Sequence, residues 1–283
     1  MIARVWALAL NTFREAVRDR VLYLLLVVGL AAVGFSRFLG EISVGDELHV
    51  IVNTGLTAVS LLGVMISVFV GTGLIYKELD KRTVYTILSK PVRRGEFILG
   101  KYLGLVLTAL VCMALLSAGF LVYYRVLAGE APMPRTATPP SGGAVFWHQL
   151  HGGRITGALL AALCFSMVEV AVIIAVAVMF SSASTPILSA VLTSVVFAAG
   201  RLSHWIPDFM DYLGRIRTGG LASQFFLQVL YYLTPNLSMF DLRDPAVNAV
   251  GLPPDLSLRI LYAAGYAAVM LLAATLIFRR RRF

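Results

Sequence analysis

The chain has 283 residues, of which 59% are hydrophobic and 14% charged, and its mean hydropathy is +0.83. Soluble domains are about half apolar and about a quarter charged, so this composition excludes a soluble globular domain and indicates an all-α polytopic membrane protein. The net charge of +9 does not indicate nucleic acid, because the basic residues follow a topological pattern described below.

Residues 1–20 precede the first long apolar run. Ile2, Trp6, Leu10, Phe13 and Val17 recur at helical spacing, with Arg4, Asn11, Glu15 and Arg18 opposite. This pattern predicts an amphipathic helix in the membrane interface. The alternative is a cytoplasmic start of the first span. The N-terminus does not read as a cleavable signal, since four arginines are spread over the first 20 residues and no small-x-small site follows the apolar run.

About 20 apolar residues are needed to cross a bilayer as a helix. Six segments qualify, at 21–39, 50–76, 97–127, 155–180, 186–206 and 256–278, giving an expected six-helix transmembrane domain over 21–283. Lysine and arginine set its orientation. With six spans, fifteen of the 24 basic residues fall on the side of both termini and of segment 77–96, together with only five of the acids. That side is expected to be cytoplasmic. The far side carries a loop at 128–154, irregular because of Pro132, Pro134, Pro139, Pro140, Gly142 and Gly143, and a loop at 207–255. The second loop contains an apolar patch, Leu221–Leu233, too short to span and suited to a re-entrant or interfacial helix.

The cytoplasmic segment 77–96 carries both signs of charge. Glu78 and Arg82 are four apart and can pair on one helical face. Thr83, Val84, Ile87 and Leu88 form an apolar edge, Pro91 stops the helix, and Gly95 allows a turn before the third span. Val84, Ile87 and Leu88 could cover the ends of the spans or dock into a groove of another protein.

Close by, Gly95, Gly100, Lys101 and Tyr102 come one residue type short of the phosphate loop G-x-x-x-x-G-K-[ST]. A functional loop needs free backbone N–H groups, a lysine reaching phosphate and a small hydroxyl on Mg²⁺. Tyr102 stands at the hydroxyl position and a membrane span follows. The chain is therefore expected to hold no ATP site, and Lys101 to reach the cytoplasmic surface from one turn inside the span.

Glu169 lies in the middle of the fourth span beside Ser166. An ionisable group at that depth faces a bundle interior or a wet cavity. It lines a translocation path, faces a dimer interface, or is a hydrogen-bonded structural glutamate. His148 and His151 have ligand spacing, but Gly152 and Gly153 break a helix there and no Cys or acid cluster accompanies them. His49, His148, His151 and His204 read as far-side surface residues, and no metal site is expected. Cys112 and Cys164 lie in apolar runs and read as small hydrophobes. Gly104, Ala109 and Gly157 fit close helix packing, and the tail Arg279–Arg282 fits anionic lipid headgroups. No paired acids, Ser-His-Asp set or HExxH sequence indicates an enzyme.

The pattern Glu78, Arg82, Thr83, Leu88, Pro91, Arg94, Gly100 and Lys101, closing the second span and opening the third, resembles the permeases of type-2 ABC exporters. The likeness includes the N-terminal helix, the six spans and the "YYLTPN" stretch before the last span, and it leans toward the branch that serves maturation of multicopper enzymes, including nitrous-oxide reductase. The resemblance implies a transmembrane subunit in a prokaryotic inner membrane, both termini cytoplasmic. A second permease copy, as homodimer or paralogous heterodimer, would complete it. A dimer of separate ATPase subunits would bind ATP and Mg, with no cofactor in this chain. Membrane lipids and an extracytoplasmic accessory protein are further implied partners, and nucleic acid is not. On this resemblance Glu78, Lys81, Arg82, Thr83, Val84, Ile87, Leu88, Pro91 and Arg94 form or position a coupling helix on the ATPase. Ser181–Thr185 would be a second, minor contact. Family relatives often have glycine where Arg82 stands, so the pattern does not fix that side chain's role. An anchor that transmits force without moving cargo remains the alternative.

Overall fold

The computed structural model describes residues 2–42, 47–80, 94–130, 157–203, 234–248 and 253–280. In chain order these form α1 (Ile2–Val17), α2 (Arg20–Ile42), α3 (Glu47–Asp80), α4 (Arg94–Glu130), α5 (Gly157–Ala183) and α6 (Pro186–Leu202). A 3-10 turn (Leu237–Phe240), α7 (Arg243–Asn248) and α8 (Leu256–Arg280) follow. Among the described residues there is no strand. Segments 81–93, 131–156 and 204–233 lie outside the described residues, and with them the Leu221–Leu233 patch, His148, His151 and His204.

Among the described residues five helices are long and apolar enough to cross a membrane, α2, α3, α4, α5 and α8. In α6 the helix has 17 residues, about 25 Å at 1.5 Å per residue, less than the ~30 Å hydrocarbon core. The expected fifth span, 186–206, is therefore a shorter apolar helix over its described length. Conversely α3, with 34 residues, and α4, with 37, overrun the expected spans at both ends. Gly95 is already inside α4 rather than in a turn.

Helix α5 is the centre of the bundle. Its stretch Val172–Val178 is buried throughout, and it packs against α3, α4, α6, α7 and α8. A helix apolar all round is the sequence form of such an element. The α3–α5 seam is close because the residues are small: a Cβ on Gly71 would lie 3.5 Å from the Ala177 methyl, and one on Gly63 would meet Val170. Toward α4, Gly55 accommodates the Phe120 ring, and the Met113 thioether closes on Gly63 beside Val170.

A break at Arg18–Asp19 separates α1 from α2. The Asp19 carboxylate accepts from the Val21 N–H at 3.1 Å, capping α2. Helix α1 has three faces rather than two. Ala9, Thr12 and Ala16 are buried against the bundle, Trp6 is 55% exposed, and Arg4 and Arg14 are exposed. It runs beside α4 in the same direction. Added Cβ atoms at Gly100 and Gly104 would meet Leu8 at 2.6 Å and Thr12 at 2.5 Å. Gly100 and Gly104 are thus a G-x-x-x-G notch that lets two backbones approach. Gly157, by contrast, has no described residue within 4 Å of an added Cβ.

Candidate functional site

Lys101 is the first correction to the sequence reading. It is 2% exposed, beneath α1, with Nζ 3.8 Å from Glu15 Oε2 and 6.0 Å from the Phe97 ring centre. It does not reach the surface, because α1 covers the notch in which it sits. The stretch Gly95–Tyr102 is helical throughout, so its backbone N–H groups are not arranged as a phosphate cradle. The Tyr102 hydroxyl donates to the Ala171 carbonyl of α5 at 3.4 Å.

Of the expected coupling residues, Glu78 lies in the last turn of α3 and Arg94 opens α4. Lys81, Arg82, Thr83, Val84, Ile87, Leu88 and Pro91 lie outside the described residues. The Ser181–Thr185 turn is described. Pro186 starts α6, and the Ser184 and Ser189 hydroxyls lie 2.8 Å apart across the corner.

The chemistry-bearing cluster of the described residues forms around Glu169. This carboxylate is 1% exposed. Its oxygen Oε1 lies 3.1 Å from Arg201 Nε, an ion pair without hydrogen-bond alignment. Oε2 accepts from Arg201 Nη2 at 3.1 Å and from the Ser60 hydroxyl at 3.3 Å. The same Nη2 donates to Ser60 Oγ at 2.8 Å. Arg201 Nη1 reaches Asp241 Oδ2 at 2.7 Å. Asp241 in turn accepts from Arg243 Nε at 2.8 Å, from its Nη2, and from its backbone N–H at 3.1 Å. Arg243 Nη1 ends the series on Thr57 Oγ1 at 2.6 Å.

Two acids and two arginines thus alternate from the middle of α5 to α7, with hydroxyls of α3 at two points. Burial acts to raise the Asp241 carboxyl, but hydrogen bonds from Arg243 and the charges of Arg243 and Arg201 outweigh it and hold the group below the ordinary carboxylate range. The Asp241 carboxylate likewise pushes the Arg243 guanidinium up.

The polypeptide around Asp241 is held from several directions. Gly200 lacks a Cβ where one would stand 2.6 Å from the Pro235 carbonyl oxygen, so residues 234–237 can lie directly on α6. Asn236 accepts from Ser203 at 2.9 Å and from Ser238 at 2.6 Å, and its N–H donates to the Tyr262 hydroxyl at 3.0 Å. Leu237, Phe240, Leu242, Ala246 and Val247 are buried. Leu56, Ala162 and Ser166, with Ser60 and the four charged side chains of the ladder, line a cavity of about 10 Å³, room for one water. Ser166 spends its hydroxyl on the Leu163 carbonyl at 2.7 Å. No solute larger than water fits between these groups as they stand.

Arg201, Asp241, Arg243, Ser60 and Thr57 were not singled out from the sequence. One signal was available for Arg201. Glu169 is 14 residues before the end of α5 and Arg201 is 15 beyond the start of α6. A tight antiparallel hairpin therefore places them at equal depth. Asp241 and Arg243 had no such signal, because nothing periodic fixes where a short irregular segment docks. Among the described residues, no group of three His, Cys, Asp or Glu side chains converges on a point where a metal ion could sit. Cys112 and Cys164 are both free thiols, the first buried and the second exposed.

A family model described as ABC-2 family transporter protein matches residues 6–282 of the chain. No curated protein matches it.

Proposed function

The chain belongs to the ABC-2 transporter family, and we propose that it is the permease of an exporter driven by a separate ATPase. The coarser part follows from family and composition: a multi-pass membrane permease of an ABC transporter that works with an ABC ATPase subunit. The proposal adds export, coupling through 77–96, a paired second copy, a sixth span through α6, an inner-membrane location with cytoplasmic termini, and no enzymatic activity or cofactor in this chain.

The observation that supports coupling is the continuity of α3. One helix carries Thr57 and Ser60 in the ladder and Glu78 at its end. Ser60 and Asp80 are 20 residues apart, about 30 Å. A push on the segment after Asp80 reaches the ladder through an uninterrupted rod. The cavity at the ladder admits only water, which fits a closed state of the path at that level.

The test is affinity purification of the chain from its native membrane with any Walker-type ATPase that accompanies it. The pair Glu78→Ala and Arg82→Ala is expected to release that subunit. A complex that survives deletion of residues 78–90 would sink the coupling role.

A further inference from the structure

The ladder is built from three bodies, and each is electrically neutral within it. The α5–α6 hairpin contributes one acid and one base, Glu169 and Arg201, paired with each other. The segment after residue 234 also contributes one of each, Asp241 and Arg243, paired with each other. Helix α3 contributes only two hydroxyls, Thr57 and Ser60. Charges joined across a moving seam would be stranded when it opens, and a buried unpaired charge opposes opening strongly. Around α3 no such penalty arises, since every charge keeps its own partner when the hydroxyls leave.

The rest of the α3–α5 seam fits the same property. At Gly71 the only near neighbour among the described residues is the Ala177 methyl and no side chain interlocks, whereas at Gly63 the Val170 side chain fills the notch and adds to the resting register. Arg201 and Asp241, 2.7 Å apart, meanwhile tie the hairpin and the segment into one unit.

We propose that α3 shifts as a rod along this unit during transport, and that Thr57 and Ser60 are positioning residues that hold its resting register. The inference rests on the permease reading above. The ladder's charges stay together while the two hydroxyl contacts break and re-form, so Arg201 and Asp241 are the fixed rail and α3 the moving part. The shift is a relative displacement of packed helices, a known form of conformational change.

The geometry offers a direct probe. A Cβ on Gly71 would lie 3.5 Å from the Ala177 Cβ, within disulfide reach. In a chain with Cys112→Ala and Cys164→Ala, the pair Gly71→Cys and Ala177→Cys is oxidised in the reconstituted complex. One sample is nucleotide-free and the other is trapped with ATP and vanadate. Cross-linking is expected to be near complete in the first and reduced about tenfold in the second. The locked complex should lose ATP turnover and regain it on reduction. Equal yields in both states, or full turnover while locked, would overturn the proposal.

In the chain alone, Thr57→Val with Ser60→Ala should lower the cross-link yield at least twofold, while Thr57→Ser, which keeps the hydroxyl, should not. An unchanged yield in the double variant would count against the positioning role. That arm needs no ATPase, so its failure is separable from failure of the permease reading, which would show as the absence of any co-purifying ATPase.

Discussion

At the scale of single residues, the ladder sets how much each charge matters. Glu169 is buried and shares Arg201 with Asp241. Removing one member of a buried pair leaves the other uncompensated, at a typical loss of 3–5 kcal/mol. Arg201 keeps Asp241 in a Glu169→Gln variant, so the expected loss is near the lower end, about 3 kcal/mol. A thermal melt of the detergent-purified variant that matches the parent would remove the pair from the stability of the bundle. Asp241 gives a pH prediction with a definite sign. Its folded-state carboxyl is held below the ordinary value, which is about 3.9. The stabilisation it brings to the docked segment is present in full above that ordinary value and is lost as pH falls through the depressed one. Amide exchange in Leu237–Val247, followed from pH 6 downward and corrected for intrinsic rates, should lose protection only below about pH 4. Protection lost instead near neutral pH would assign the docking to another group.

At the scale of elements, α1 is the part whose role the structure changes most. Its sequence shows an apolar and a polar face, and periodicity alone assigns the polar one to water. Glu15 belongs to that polar face, yet it meets Lys101 beneath the helix. The contact was not legible, because α1 packs through its small residues, Ala9, Thr12 and Ala16, and small residues give a weak hydrophobic signal. Gly104 was legible as a close-packing residue, but its G-x-x-x-G partner Gly100 was read with the near-match to a phosphate loop instead. Gly104→Ala is expected to destabilise the α1–α4 contact by about 1–3 kcal/mol, since its Cβ would fall 2.5 Å from the backbone oxygen of Ala9. Gly157→Ala, whose added Cβ has no described residue within 4 Å, should be nearly silent. Limited proteolysis of α1 in the two variants reads the difference, and equal cleavage rates would contradict the notch. The long apolar helices, by contrast, were legible to within a few residues, because bilayer thickness imposes a length that a hydropathy run records directly.

At the scale of the whole molecule, charge distribution speaks more clearly than any site. Structure and sequence draw on different information here: packing reveals the ladder, whereas orientation is carried by loops and ends. All four lysines lie between 77 and 101, and four arginines close the chain at Arg279–Arg282. Basic residues flanking spans resist translocation, and both clusters are expected on one face. Five spanning helices alone would put the termini on opposite faces; a sixth crossing that includes α6 puts them on the same face. The two cases are separable without knowing the substrate. Single cysteines at Ala3, Lys90 and Phe283, in the background lacking Cys112 and Cys164, should all resist a membrane-impermeant maleimide in intact cells and react after lysis. Labelling of Phe283→Cys but not Ala3→Cys in intact cells would mean that α6 does not cross. Replacing Arg279–Arg282 by glutamine should leave this pattern unchanged, because the lysine cluster and Arg14, Arg18 and Arg20 still hold the same face; a flipped C-terminus would show that the tail itself fixes the last span.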